Sequence, residues 1–164
     1  MTNAEKFYHA KNKLALYDQE TQNLMSDAVD FEDVYNENFT LADMVWLLRD
    51  SFKKRITHIK VLDEKGIPEN TDPATGFCMI SSYLIYSLTG GEKVWELHGT
   101  NLHWWLYHKQ SRTIFDITHT QFSPEHLRDI YKVGKKVSKL KTDPVFYDIL
   151  KAKAHTLAHY AGLE

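Results

Sequence analysis

The chain carries one cysteine, Cys78, in the segment Thr75-Gly76-Phe77-Cys78-Met79-Ile80-Ser81-Ser82, immediately before an apolar run of helical character. Downstream come His103, in His-Trp-Trp-Leu-Tyr, and Asp116, in Ile-Phe-Asp-Ile-Thr. The thiolate, not the thiol, attacks electrophiles, so a nucleophilic cysteine needs surroundings that favour the anion. A helix start provides them through unpaired N–H groups and the positive end of the macrodipole. Histidine can take the thiol proton and later return it to a leaving group, and a carboxylate behind the imidazole fixes its tautomer and aim. Taken singly, each residue has a plainer reading: a small core thiol, a strand histidine, a turn-bonding aspartate. The order Cys78, His103, Asp116 favours nucleophilic catalysis over those readings.

These groups need elements to position them. The run Phe77 to Leu88 reads as a nearly all-apolar, central helix stopped by Thr89-Gly90-Gly91. Three strands follow, Lys93 to His98, Leu102 to His108 and Thr113 to Thr118, the last two joined by the turn Lys109-Gln110-Ser111-Arg112. Alternation puts His103, Trp105 and Tyr107 on one strand face and Ile114, Asp116 and Thr118 on one face of the next, so a hairpin sets Asp116 beside His103. Thr118 is then placed to donate to the Asp116 carboxylate, while Gln121 caps the turn or reaches substrate.

Upstream, Ala4 to Val29 reads as an amphipathic helix, and a second helix with Thr40 as N-cap turns Met44, Val45, Leu47, Leu48 and Phe52 to one side. Residues Asp63 to Gly76 are rich in turn formers and form a long loop leading into Cys78. Gly76 allows close approach of backbone or substrate, and Asn70, Thr71 and Thr75 are the loop's candidates for a second oxyanion donor beside the Cys78 N–H. Ser123-Pro124-Glu125 and Asp143-Pro144 open two later helices, the last running to about Tyr160. The fold class is α+β, with the Cys78 helix packed on a small antiparallel sheet and further helices around it.

The 164 residues fit a single domain with enough apolar and aromatic material to fold without metal or crosslinks. A formal net charge of -2 with interspersed signs gives no broad field toward nucleic acid or a membrane surface. One cysteine and an N-terminus without signal-peptide character point to the cytoplasm, and no apolar stretch reaches the roughly 20 residues that span a bilayer.

The motifs Gly76-Phe77-Cys78, His103-Trp104, and Asp116-Ile117-Thr118 followed by Gln121-Phe122 resemble the papain-like/transglutaminase-like cysteine hydrolase superfamily, especially its small bacterial and phage-associated members. The resemblance spans about Thr75 to Phe122, with Trp105 at the position of the tryptophan in a His-x-Trp motif. It implies a central Cys78-bearing helix packed on an antiparallel sheet, and residues 1–164 then read as a single papain-like α+β domain that includes an N-terminal helical extension over about residues 1–60. It also implies a Cys78-His103-Asp116 triad acting without a cofactor on an amide or ester bond of a peptide, protein or small molecule. Proteolysis, deamidation and transglutamination all fall within that chemistry. No glutamine upstream of Cys78 marks the oxyanion hole as in many papain-like enzymes, and no tryptophan follows the cysteine directly.

Two other readings compete. Nine histidines, including the pair His155 and His159 at helical spacing, invite a metal site, but that pair lacks the intervening glutamate of the helical zinc motif, so solvated histidines are expected and no metal. The strand aromatics Trp95, Trp104, Trp105, Tyr107 and Phe115 could instead form the contact surface of an inactive binding or inhibitory protein of the same fold. The cluster Lys132, Lys135, Lys136, Lys139 and Lys141 reads as a solvated helix end without a nucleic-acid motif.

Overall fold

The computed structural model describes residues 41–62, 71–110 and 112–163. The helix expected over Ala4 to Val29, the Thr40 cap, Asn70 and the 63–70 part of the long loop lie outside the described residues. In chain order the helices are α1 (Leu41–Phe52), α2 (Arg55–Leu62), α3 (Cys78–Leu88), α4 (Pro124–Val133), α5 (Lys139–Thr142) and α6 (Pro144–Ala161). The strands are β1 (Trp95–Gly99), β2 (Trp104–His108), β3 (Thr113–Phe115) and β4 (Lys135–Lys136). All pairings are antiparallel, in the order β3-β2-β1-β4. The fold is therefore α+β, with the Cys78 helix against the sheet as expected.

The register explains the layers. Leu97 opposite Leu106 and Leu106 opposite Phe115 put one apolar row on the face that meets α3. Behind α3 lies α6, whose Leu150, Ala154, Leu157 and Ala158 join Met44, Val45, Leu48 and Phe52 of α1 and Val61 of α2 in the same core. The opposite sheet face carries His98, Trp105 and Tyr107. Helix α4 covers it: Leu127, Ile130 and Tyr131 recur at helical spacing, and the Tyr131 ring lies 4.9 Å from that of Trp105. Trp95, Trp104, Trp105 and Phe115 are all buried, so these aromatics are interior packing and only Tyr107 of the group is half-buried.

Local signals account for the helix starts. Ser123 accepts a hydrogen bond from the His126 N–H and Asp143 from the Phe146 N–H, each just before a proline. Several boundaries differ from the sequence expectation. Residues Gly91–Lys93 form a 3-10 turn, so β1 begins at Trp95. Strand β3 stops at Phe115, because the Asp116 side chain accepts from the Thr118 N–H and turns the chain into a 3-10 turn over His119–Gln121. The lysine cluster, read as one helix end, spans the end of α4, the edge strand β4 and the short α5. The structure adds α2, which the sequence reading left unassigned.

Gly134 joins α4 to β4 directly over Trp105: an added Cβ would lie 2.2 Å from the buried indole. Its φ of -65 suits any residue, so the constraint is purely steric. Gly134→Ala should lower stability by about 1–3 kcal/mol through overpacking, measured by urea unfolding. An unchanged midpoint would show that Trp105 does not fill that space.

Candidate active site

The turn before α3 sets the position of Cys78. Gly76 adopts φ +86, a left-handed conformation that favours glycine. The Thr75 carbonyl accepts a hydrogen bond of 2.5 Å from His58 Nε2 on α2, which fixes the proton of that imidazole on Nε2. The His58 ring also packs on Phe77, with centroids 4.7 Å apart, and Phe77 stacks on Phe52 of α1. No side chain caps the start of α3, so its first N–H groups keep their hydrogen-bonding capacity beside the sulfur. Cys78 retains 6% exposure, whereas His103 is fully covered.

His103 lies immediately before β2, with its backbone clamped by Thr100. The Thr100 N–H donates to the His103 carbonyl at 2.9 Å, and the Thr100 hydroxyl oxygen accepts from the His103 N–H at 3.2 Å. The imidazole lies between the rings of Trp105 at 5.9 Å and Phe122 at 5.0 Å. Its Nε2 donates to Asp116 Oδ2 at 2.6 Å. Nδ1 has no hydrogen-bond partner among the described residues, and the Cys78 side chain lies near enough to add to the upward push on the imidazole.

Asp116 is buried and accepts from four donors. Oδ2 takes His103 Nε2 and the Tyr131 hydroxyl, the latter at 2.7 Å, while Oδ1 takes the Thr118 N–H and hydroxyl, each at 3.1 Å. Burial pushes this carboxyl up, but the charge and hydrogen bond of His103, the hydrogen bond of Tyr131 and the charge of His119 hold it below its ordinary 3.8. Tyr131 is raised well above its ordinary 10.0, first by burial and then by the Asp116 charge and hydrogen bond, so it stays a donor. Arg49 of α1 donates to the Ile117 carbonyl and feels the charges of Asp72 and Asp116. Burial lowers Arg49 to about 10, which leaves it cationic at neutral pH.

The same cluster sets the charge of His103. Burial, the largest single influence, favours neutral imidazole. It is overcome by the Asp116 charge and hydrogen bond, with Cys78 adding in the same direction, and His103 is pushed up to about 10 from 6.5. The imidazole therefore rests as imidazolium at neutral pH.

The structure thus brings His103, Asp116, Thr118 and Trp105 into one cluster with Cys78 at its edge. Gln121 turns inward and donates to the Thr118 carbonyl at 3.0 Å, capping the turn. Thr75 and Gly76 lie in the turn before α3, and Asn70 lies outside the described residues. Sequence reasoning missed Tyr131, His58, Thr100 and Arg49. For Tyr131 there was a signal, since it falls four residues after Leu127 on the apolar stripe of α4. Among the described residues no cluster of His, Cys, Asp and Glu could hold a metal ion, and no helix is long and apolar enough to cross a membrane. No family model, curated protein or solved structure matches the chain.

The raised pKa of His103 makes stability pH-dependent with a defined sign. A folded-state value above 6.5 means that the contribution of His103 is complete below about pH 6.5, as long as Asp116 stays ionised, and is lost as pH rises through about 10. Urea unfolding over that range should show the wild type losing stability that Asp116→Asn does not lose. Parallel curves would mean that Asp116 does not hold the proton on His103.

Proposed function

We propose that the protein is a cysteine-dependent hydrolase or acyltransferase acting on an amide or ester bond through Cys78, His103 and Asp116. The observation that carries this reading is geometric: His103, beside Cys78, is bonded at 2.6 Å to an Asp116 carboxylate whose other lone pairs are taken by Tyr131 and Thr118, and this pairing favours the imidazolium. In this role His103 starts as the acid. The thiolate adds to the substrate carbonyl carbon, forming the C–S bond, and the oxyanion is met by the Cys78 N–H at the helix start. His103 then protonates the departing nitrogen or oxygen as the C–N or C–O bond breaks. In the second half, neutral His103 takes a proton from water or an acceptor amine, which attacks the thioester and releases Cys78.

The remaining contacts support the same division of labour. Asp116 has every lone-pair direction engaged by a donor, so it orients and stabilises the imidazolium rather than taking up a proton. Phe122 and Trp105 exclude water from the ring, which strengthens the charge pairing. The reading of an inactive binder with an aromatic contact surface is less well supported, since four of its five aromatics are interior.

Because the chain holds one cysteine, its acylation can be read on the intact protein by mass. A p-nitrophenyl ester should give a burst of nitrophenolate and an acyl adduct on Cys78 at about pH 7. His103→Ala should slow adduct formation by about 10²-fold or more, the range for a positioned proton-transfer group. Tyr131→Phe should slow it less, by about tenfold, the equivalent of a hydrogen bond to a charged group worth about 1.5 kcal/mol. Acylation no faster than that of the urea-unfolded chain, or equal in the wild type and His103→Ala, would refute the assignment.

A further inference from the structure

Residues 132–141 carry five lysines and no acidic residue, in a chain whose formal net charge is -2. The structure bends this segment into one wall of an open groove of about 450 Å³, with Gly99, Thr100 and Asn101 on the other side. Every charged side chain lining the groove is a lysine: Lys135, Lys136 and Lys139. These positions are held firmly. Strand β4 pairs with β1, Lys136 opposite His98 and Lys135 opposite Gly99, and the Val137 N–H donates to the Leu97 carbonyl at 2.8 Å. The existing counter-charges are slight: Lys136 has only a loose 3.7 Å contact with Glu96, and Lys139 lies over the Phe146 ring at 4.4 Å.

We infer that this groove binds an extended, acidic segment of a polypeptide. Lys135 and Lys136 are neighbours on β4 and point to opposite sides of its edge, so with Lys139 they flank the groove with positive charge that calls for carboxylates, and Val133, 67% exposed, adds an apolar contact in the same lining. Strand β4 ends the sheet order, so its outer side presents the edge on which an extended chain can lie. Lysines on a sheet edge repel unselected strands and make acidic ones the exception. A nucleic acid fits less well. The groove's one aromatic, Trp104, is 5% exposed, which leaves no platform for base stacking. The inference does not depend on the chemistry of Cys78, although Thr100 both lines the groove and clamps His103.

The test is fluorescence anisotropy of a labelled ten-residue peptide of alternating Glu and Val, titrated with the full chain at low salt. Saturable binding that weakens with added salt is expected. The triple variant Lys135→Gln, Lys136→Gln, Lys139→Gln should weaken it at least tenfold, while Lys151→Gln on the exposed side of α6 should leave it unchanged. Lys135→Gln alone should weaken it severalfold, and it removes no contact that the fold needs. The Cys78→Ser variant should bind as the wild type does, so loss of the catalytic reading would leave this result standing. Absence of binding at millimolar protein, equal binding by the triple variant, or tighter binding of a single-stranded oligonucleotide than of the peptide would overturn the proposal.

Discussion

A carboxylate buried at 1% exposure is tolerable only if its charge is matched and its lone pairs are engaged, and Asp116 imposes that condition on everything around it. The condition is met by parts from separate regions of the chain: His103 ahead of β2, Thr118 in the following turn, Tyr131 on α4, and the charge of Arg49 from α1. Each of these donors fixes an element as well as a side chain. Strand β3 ends where Asp116 bonds Thr118, α4 is drawn across the Trp105 face by Tyr131, and α1 reaches the Ile117 carbonyl through Arg49. Satisfying one buried charge therefore aligns much of the sheet and its outer layer.

The Cys78 half of the site is built differently, by sterics and backbone. Gly76 turns the chain in a left-handed conformation, His58 holds the Thr75 carbonyl, and Phe77 is stacked between α1 and α2 residues. These contacts aim the first turn of α3 toward the imidazole, while α6 supports α3 from behind. The two halves meet at one place, where the Cys78 side chain adds to the upward push on His103. Tight packing of His103 between Trp105 and Phe122 means that a small shift in either half would be transmitted to that junction.

What the sequence revealed follows from how local each cause is. The helix starts at Ser123-Pro124 and Asp143-Pro144 depend on residues three apart and were legible, as was the alternation that puts His103 and Asp116 on one face. The Thr118 contact with Asp116 spans two residues and was legible for the same reason. Helix α2 was not, because Arg-Ile-Thr-His-Ile-Lys-Val-Leu has no clear 3.6-residue stripe and its helicity comes from burying His58 and Val61 in the core. The two-residue strand β4 carries no pattern at all, only a pairing partner in β1. The stripe of α4 marked Tyr131 as inward-facing without naming its partner, Arg49 acts across a tertiary distance that no local spacing encodes, and the aromatic run gave hydrophobicity without saying which face would be covered.

The site turns on electrostatics: Asp116 favours the cationic form of His103 next to the thiol. Nitrogen-15 NMR of the histidine side chains, with His103 assigned by its loss in His103→Gln, measures that charge directly. The expected result is an imidazolium at about pH 7.5 that titrates near pH 10, with its Nε2–H signal shifted downfield by the short bond to Asp116. A neutral ring at that pH, titrating near the ordinary 6.5, would contradict it.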